Sequence, residues 1–258
     1  MEITEERLHR YARHIIMDEV GEEGQIKLLQ SRVLVIGAGG LGSPVLMYLA
    51  AAGVGTLGVI DNDEVDITNL QRQIIHTTAR VGTSKVDSAI ETIAALNPEI
   101  KVNGYKDRLT PANARSVIAD YDLVADGSDN FPTRYLVNDA CYLEKKPLVT
   151  AAMLRFEGQA TTIKAYEEDK PCYRCIFPSA PPPGIAPRCE EAGIFGALAG
   201  VVGTMQATEV LKELLGLGTG LAGRLLLYDA MDVMLRTVTI PKNPDCALCG
   251  SNPTITDV

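Results

Sequence analysis

Imidazole is scarce in this sequence. The only histidines are His9, His14 and His76, so the long stretch beyond position 76 has none. Chemistry in the C-terminal half must therefore proceed without a histidine base. Positive charge is also short, with a formal net charge of −9. That argues against nucleic acid as a partner, because a broadly basic surface is needed to displace counterions from phosphates. A small cationic pocket remains compatible with the same balance. The opening residues, MEITEERLHR, are charged and lack the apolar core of an export signal. No apolar run suits a membrane span. The longest small-apolar stretch, Ala192 to Ala207, meets Glu209, Lys212 and Glu213 at once. It reads as a buried helix whose Gly193, Gly196, Gly200 and Gly203 form a stripe for close packing. The sequence shows neither an internal repeat nor a domain linker, and the expected compartment is the reducing cytoplasm.

What is present is enough apolar material for a sizeable core, 46% of the residues. Thr4 to Ile16 reads as a helix capped by Thr4, with Leu8, Tyr11, Ala12 and Ile15 on one face. Val33 to Ile36 is a largely β-branched strand of the kind buried on both faces. A helix with Val45, Leu46 and Leu49 inward then runs to a stop at Gly53. Strands follow at Thr56–Asp61, near Ile100, at Asp122–Asp126 and at Pro147–Thr150. Helices between them are expected at Ser84–Leu96, from Pro111, and at Asn130–Leu143. This alternation predicts right-handed βαβ units in a Rossmann-like, doubly wound α/β fold with a mostly parallel sheet. Beyond residue 150 the pattern shifts to strands without helical crossovers, around Gln159–Lys164 and Arg224–Tyr228, which predicts a mixed or antiparallel extension. Phe177 to Pro187 is proline-rich and reads as an extended loop. The expected organisation is a single domain over 1–258, with a helical arm (1–30), a nucleotide-binding half (31–150) and a second half (151–258).

Gly37-x-Gly39-Gly40-x-Gly42 follows the first buried strand and opens a helix, and Asp61 ends the next strand at the spacing of a ribose-binding acid. Such glycines let backbone approach phosphate at a positive helix N-terminus. Alone, the motif says only nucleotide. The turn Asp61-Asn-Asp63 and the segment Asn69-Leu-Gln71-Arg72-Gln73 add carboxylates, amides and a guanidinium close behind it. Lys85 opens the following helix, and Asp126-Gly-Ser-Asp129-Asn130 ends another strand. Arg72 and Lys85 together suit a triphosphate, while Asp129 suits Mg²⁺. Singly each is a solvated surface charge; their joint position at consecutive strand ends makes them a candidate site.

Four of the six cysteines form the pairs Cys172-x-x-Cys175 and Cys246-x-x-Cys249. Four thiolates would close a tetrahedral Zn²⁺ site with no open position, so the expected role is structural. A redox dithiol would explain one pair and not two. Cys189, in Pro187-Arg188-Cys-Glu190-Glu191, stands apart beside the proline-rich loop as a candidate reactive thiol. Its neighbours pull both ways, since Arg188 favours the thiolate and the two glutamates oppose it. Cys141 falls in an apolar helical pattern and reads as core.

From Arg10-Tyr-Ala-Arg13 to Cys249, GAGGLG, NLQRQ, Ser84-Lys85, DGSDN, PCYRC, RCEEAG and CALC together resemble the MoeB/ThiF family of the ubiquitin-activating-enzyme superfamily. The resemblance implies an ATP-dependent homodimer that adenylylates the C-terminal glycine of a MoaD-like or ThiS-like sulfur carrier, a ubiquitin-like protein ending in Gly-Gly. It implies that Asp129 holds Mg²⁺, that Arg72 and Lys85 hold phosphates, that Asp61 holds the ribose, and that Arg13 serves the partner subunit's site. Residues 151–258 would then carry the zinc and receive the carrier. Some relatives add a rhodanese domain; here sulfur is expected from a separate donor, a cysteine desulfurase or rhodanese-like protein. Competing readings are an ATP-dependent dehydratase acting on a tRNA base, a dehydrogenase, and a zinc scaffold. The acidic balance and paired cysteines weigh against the first. The second leaves Arg72, Lys85 and Asp129 unexplained, and the third leaves the glycine loop idle.

Overall fold

In the computed structural model, residues 3–182 and 192–258 are described. The chain begins with α1 (Glu5–Arg10) and α2 (Ala12–Ile15). Thr4 accepts the Arg7 N–H at 3.4 Å, and Glu5 and Glu6 occupy the positive first turn. The single helix expected over 4–16 is broken at Tyr11 (φ −103°, ψ 15°). The break turns the Tyr11 ring inward, while Leu8 stays exposed. A further helix, α3 (Gly21–Gln30), completes the arm.

The core repeats strand and helix: β1 (Arg32–Ile36), α4 (Gly42–Ala52), β2 (Thr56–Ile60), α5 (Lys85–Leu96), β3 (Lys101–Tyr105), α6 (Ala114–Ala119), β4 (Leu123–Asp126), α7 (Phe131–Leu143) and β5 (Leu148–Leu154). Their boundaries have local causes. Gly53 ends α4 in the left-handed conformation at φ +85°. Ser84 caps α5, and Asn130 caps α7 by accepting the Thr133 N–H. The helix expected from Pro111 starts later, at Ala114, because Asn113 folds back to bond Thr110 N–H and Arg108 O. After β5 come β6 (Glu157–Ile163), the short α8 (Tyr173–Ile176), the long α9 (Gly196–Leu215), β7 (Arg224–Asp229) and β8 (Met234–Thr239). The exposed strand β8 carries no buried periodicity and was not foreseen.

Among the described residues the strands form one sheet in the order β3-β2-β1-β4-β5-β6-β7-β8. The first five are parallel, and β6 to β8 join antiparallel. Alternation along β1 explains its unbroken apolar run. Val33 and Val35 enter a core with α4, α5 and α9, while Leu34 and Ile36 enter a second core with α6 and α7. Helix α9 lies against α4 and β5, and Gln206 within it is fully buried, donating to the carbonyls of Asp126 and Val149. The expected glycine stripe holds at Gly203, where a Cβ would strike Pro44. It fails at Gly200, which faces open space, and at Gly193, which lies before the helix with φ +78° and equally open surroundings. No helix among the described residues is long and apolar enough to cross a membrane.

The N-terminal arm is fastened at the C-terminal end of α4. The Tyr11 ring closes on Gly53, and the Asn97 amide donates to Tyr11 Oη (2.9 Å) and Ala50 O (2.8 Å). Gln25 spans His14 and the Ala52 carbonyl beside it. Asn97→Ala removes both bonds from a residue only 1% exposed. It should cost about 1–3 kcal/mol, read as a lower urea-unfolding midpoint. An unchanged midpoint would show that the arm is held elsewhere.

Candidate functional site

Strand order reverses between β1 and β4, whose connections leave in opposite directions along the sheet. That reversal opens a crevice at their C-terminal ends, the usual ligand position in open α/β sheets. Two glycine segments meet there. Gly37 is left-handed at φ +88°, and a Cβ on it would stand 3.2 Å from Gly127 O. A Cβ on Gly42 would overlap the Gly37 carbonyl, so the turn into α4 requires glycine there too. The Gly127 N–H in turn bonds Ile36 O. GAGGLG and DGSDN are thereby held side by side.

The polar segments close around this junction. Asp61 accepts Ala38 N–H through Oδ2 and Asp63 N–H through Oδ1, both at 2.8 Å. Burial raises the Asp61 pKa, opposed by the Lys85 charge and by the two N–H donors. Lys85 is 6% exposed, and its ammonium reaches Asp63 Oδ2 at 3.0 Å while its own N–H bonds Asp63 O. The aliphatic stem is therefore buried and the charge sits at the rim. Over the glycine loop, a Cβ on Gly40 would stand 3.7 Å from Arg72 Cδ, and one on Gly39 would stand 3.7 Å from Gln73 Nε2. Among the described residues the Arg72 guanidinium donates to Thr68 O alone.

Several groups here are left open. The Gly39 and Gly40 N–H groups have no protein acceptor among the described residues. Gln73 Oε1 and Ser128 Oγ are buried without hydrogen-bond partners among the described residues. Unpaired donors at a helix entrance and a guanidinium suit a nucleotide phosphate chain, and an orphaned amide oxygen suits a hydroxyl or amino donor.

Other expected site residues have structural tasks. Asn69 forms a capping box with Asp66, and Asn130 caps α7. Gln71 is exposed, and its side chain and carbonyl press on Gly196 at the start of α9. Asp129 is exposed beside the Asn130 amide at 3.4 Å. Arg13 is not brought to this crevice. It is exposed on α2, which packs beyond Gly53 at the far end of α4, about 16 Å of helix from the glycine loop. Cys189 lies outside the described residues. Cys141 is fully buried in α7, where desolvation pushes its thiol pKa well up.

Sequence reasoning passed over His76. It lies three residues beyond Gln73, is 5% exposed, and contacts Ala38 O through Nε2 and Ser88 Oγ through Nδ1, each at 2.8 Å. Its signal was present in the scarcity of histidine, but nothing local marks a buried imidazole.

Cys172, Cys175, Cys246 and Cys249 converge with all sulfurs within 4.8 Å of one another. Contacts of 3.9, 3.5 and 3.4 Å along the cluster compare with about 3.8 Å between thiolates on one tetrahedral Zn²⁺. The Asn243 N–H also points at Cys175 Sγ, favouring the thiolate. The donor set fits zinc, and among the described residues no fifth ligand joins it. The knuckle is tied to α7 by a two-pronged Arg174–Asp139 pair (2.8 and 2.6 Å) and by Tyr173 N–H donating to Asn138 Oδ1. Helix α7 is the one that DGSDN opens.

Fold and site together define a Rossmann-like α/β nucleotide-binding domain with a four-cysteine knuckle. More narrowly, the chain belongs to the ThiF family, whose model matches residues 11–248. It is 54% identical over 244 residues to the SAMP-activating enzyme E1 of Haloferax volcanii, covering 95% of this chain and 89% of that protein. It is 52% identical over 257 residues to the sulfur carrier protein adenylyltransferase of Thermus thermophilus, covering 98% and 95%. E. coli MccB, in a crystal structure with ATP, superposes with a TM-score of 0.79 at 22% identity, covering 93% of this chain and 73% of that one. At that identity the likeness concerns the fold.

Purified without chelator, the protein should carry about one zinc per chain, and Cys246→Ser or Cys249→Ser should lose it. Melting should fall by about 5–15 °C, given about 2–4 °C per kcal/mol for a chain of this size. Metal-free wild-type protein of unchanged stability would remove zinc from the account.

Proposed function

We propose that this protein adenylylates the C-terminal glycine of a ubiquitin-like sulfur-carrier protein with ATP, releasing pyrophosphate. The observation that carries the reading is the placement of Arg72 and Gln73 beside Gly40 and Gly39, whose N–H groups are unpartnered among the described residues, next to the acid Asp61. The names of the relatives at 54% and 52% identity agree with it.

The reaction asks little of acid–base chemistry. A C-terminal carboxylate has a reference pKa of about 3.5 and is already a nucleophile at neutral pH. It attacks the α-phosphorus, the bond to the β-phosphate oxygen breaks, and pyrophosphate leaves. The site must align the two reactants and neutralise the growing phosphate charge. In this reading Asp61 accepts from the ribose hydroxyls. The glycine-loop N–H groups, Arg72 and Lys85 bind phosphate oxygens, and Lys85 moves from Asp63 to reach them. Asp129 holds Mg²⁺, which screens the triphosphate. Asn69, Gln71, Gln73 and Asn130 line the nucleotide or its approach. The low count of histidine fits a reaction run by position and charge.

We also propose a homodimer in which Arg13 serves the neighbouring subunit. Its place at the far end of α4 is what supports a role outside its own crevice. The carrier is assigned to the 151–258 half. Phe156, Phe195, Met231 and Val233 are exposed there. Phe156 lies at the turn following β5 and Met231 and Val233 at the turn following β7, the end of the sheet at which β1 and β4 also finish, and Phe195 at the entrance to α9 packs on Phe156. Sulfur would come from a separate donor protein, in a reducing cytoplasm that keeps the cysteines as thiols.

With a Gly-Gly carrier, Asp129→Ala should lower ATP–pyrophosphate exchange by about 100-fold or more while leaving the unfolding midpoint close to wild type. Near-normal exchange at limiting Mg²⁺ would remove Asp129 from the site.

Mixing Arg13→Ala with Asp129→Ala chains should restore roughly a quarter of the wild-type rate, because half of randomly paired dimers hold one intact site. No recovery after verified subunit exchange would rule out action across the dimer.

A further inference from the structure

The Ala38 peptide is gripped on both sides. Its N–H donates to Asp61 Oδ2, and its carbonyl meets His76 Nε2, each at 2.8 Å. A carbonyl only accepts, so Nε2 must carry the proton, and the Nδ1 lone pair then receives the Ser88 hydroxyl. Ser88 is itself buried in the first turns of α5, where its carbonyl takes a bond from Arg80 at 2.7 Å. Burial and the nearby Lys85 and Arg80 charges lower the His76 pKa, keeping the neutral ring that this arrangement needs.

Peptide planarity converts that grip into an orientation. In a trans peptide the N–H of Gly39 points opposite to the C=O of Ala38. With the carbonyl pinned toward α5 by His76, the Gly39 N–H faces away from α5. The next peptide is set in the same way, since Gly39 O accepts both Ser43 N–H (2.9 Å) and Ser43 Oγ–H (2.6 Å). The Gly40 N–H therefore faces out of the α4 entrance. Neither of these two N–H groups has a protein acceptor among the described residues. Glycine at these positions gives the loop backbone freedom, so an external clamp is what can hold the donors before an anion arrives.

We infer that His76 is a positioning residue for nucleotide: through the Ala38 carbonyl it fixes the peptide plane whose Gly39 N–H binds a phosphate oxygen, with Ser88 setting its tautomer. It touches neither nucleotide nor carrier. The inference rests on the adenylylation reading but concerns only its ATP half.

The test measures ATP–pyrophosphate exchange and, separately, MgATP binding by calorimetry, for wild type, His76→Ala, His76→Gln and Ser88→Ala. Loss of an oriented donor to a charged oxygen should raise KM and Kd for ATP about 10- to 100-fold in His76→Ala, with the carrier KM within about twofold. His76→Gln restores an N–H donor and should recover most of the ATP affinity. Ser88→Ala leaves the ring but frees its tautomer and should give a severalfold rise, which keeps the inference testable if His76→Ala fails to fold. Wild-type ATP affinity in folded His76→Ala or in Ser88→Ala would overturn it. Equal losses in ATP and carrier KM without rescue by glutamine would also overturn it, showing only structural damage. His76-dependent MgATP binding in a wild-type protein that activates no Gly-Gly carrier would sink the proposed reaction and leave this inference standing.

Discussion

The close approach of Gly37, Gly42 and Gly127 is the contact on which the rest of the site depends. A side chain at Gly42 would occupy the space of the Gly37 carbonyl, and one at Gly37 would press on the Gly127 carbonyl. Only with both absent can the end of β1 turn into α4 while lying against the end of β4. That packing sets the width of the crevice and brings the Ala38 peptide within reach of Asp61 on one side and His76 on the other. The backbone donors at Gly39 and Gly40 are already turned outward, so an anion bound there would require little further ordering.

A second set of contacts makes this crevice rigid from behind. Gln206 of α9 ties the carbonyls of Asp126 and Val149 together beneath the end of β4. Asp126 is 1% exposed and spends its carboxylate on Ser128 N–H and Thr150 Oγ. Its neighbour Asp129 is left outside. Two aspartates three residues apart thus have opposite tasks, one shaping the turn and one available to a cation. Past the turn, α7 runs to the cysteine knuckle through Asp139 and Arg174. A zinc ion there would stabilise the far end of the same helix that DGSDN begins, so a metal with no open coordination position can still hold the site's architecture.

Much of this was legible from residue order. The buried β1 run, the glycine signature, the cap-and-stop residues Ser84, Asn130 and Gly53, and the paired cysteines all act through local geometry. Each announces itself within a few residues. The parts that were misread depend on distant partners. Thr4 to Ile16 has helical periodicity, yet Tyr11 breaks it to fill space against Gly53 and Asn97. Gly200 matches the spacing of Gly196 and Gly203 but meets nothing, because helical spacing does not say where another element comes close. Strand β8 has no buried face to advertise it and exists by pairing with β7.

Sequence alone determined the fold class, the glycine turn between β1 and α4 and the four zinc-competent thiols, because turn chemistry, β-branched runs and Cys-x-x-Cys spacing are short-range constraints. Tertiary structure decided which polar residues are free. It committed Asn69 and Asn130 to capping, placed Lys85 on Asp63, and carried Arg13 to the wrong end of α4 for its own crevice. It also turned His76 inward onto the Ala38 carbonyl. A side chain's composition says which bonds it can make, and only the packed chain fixes which partner lies within reach.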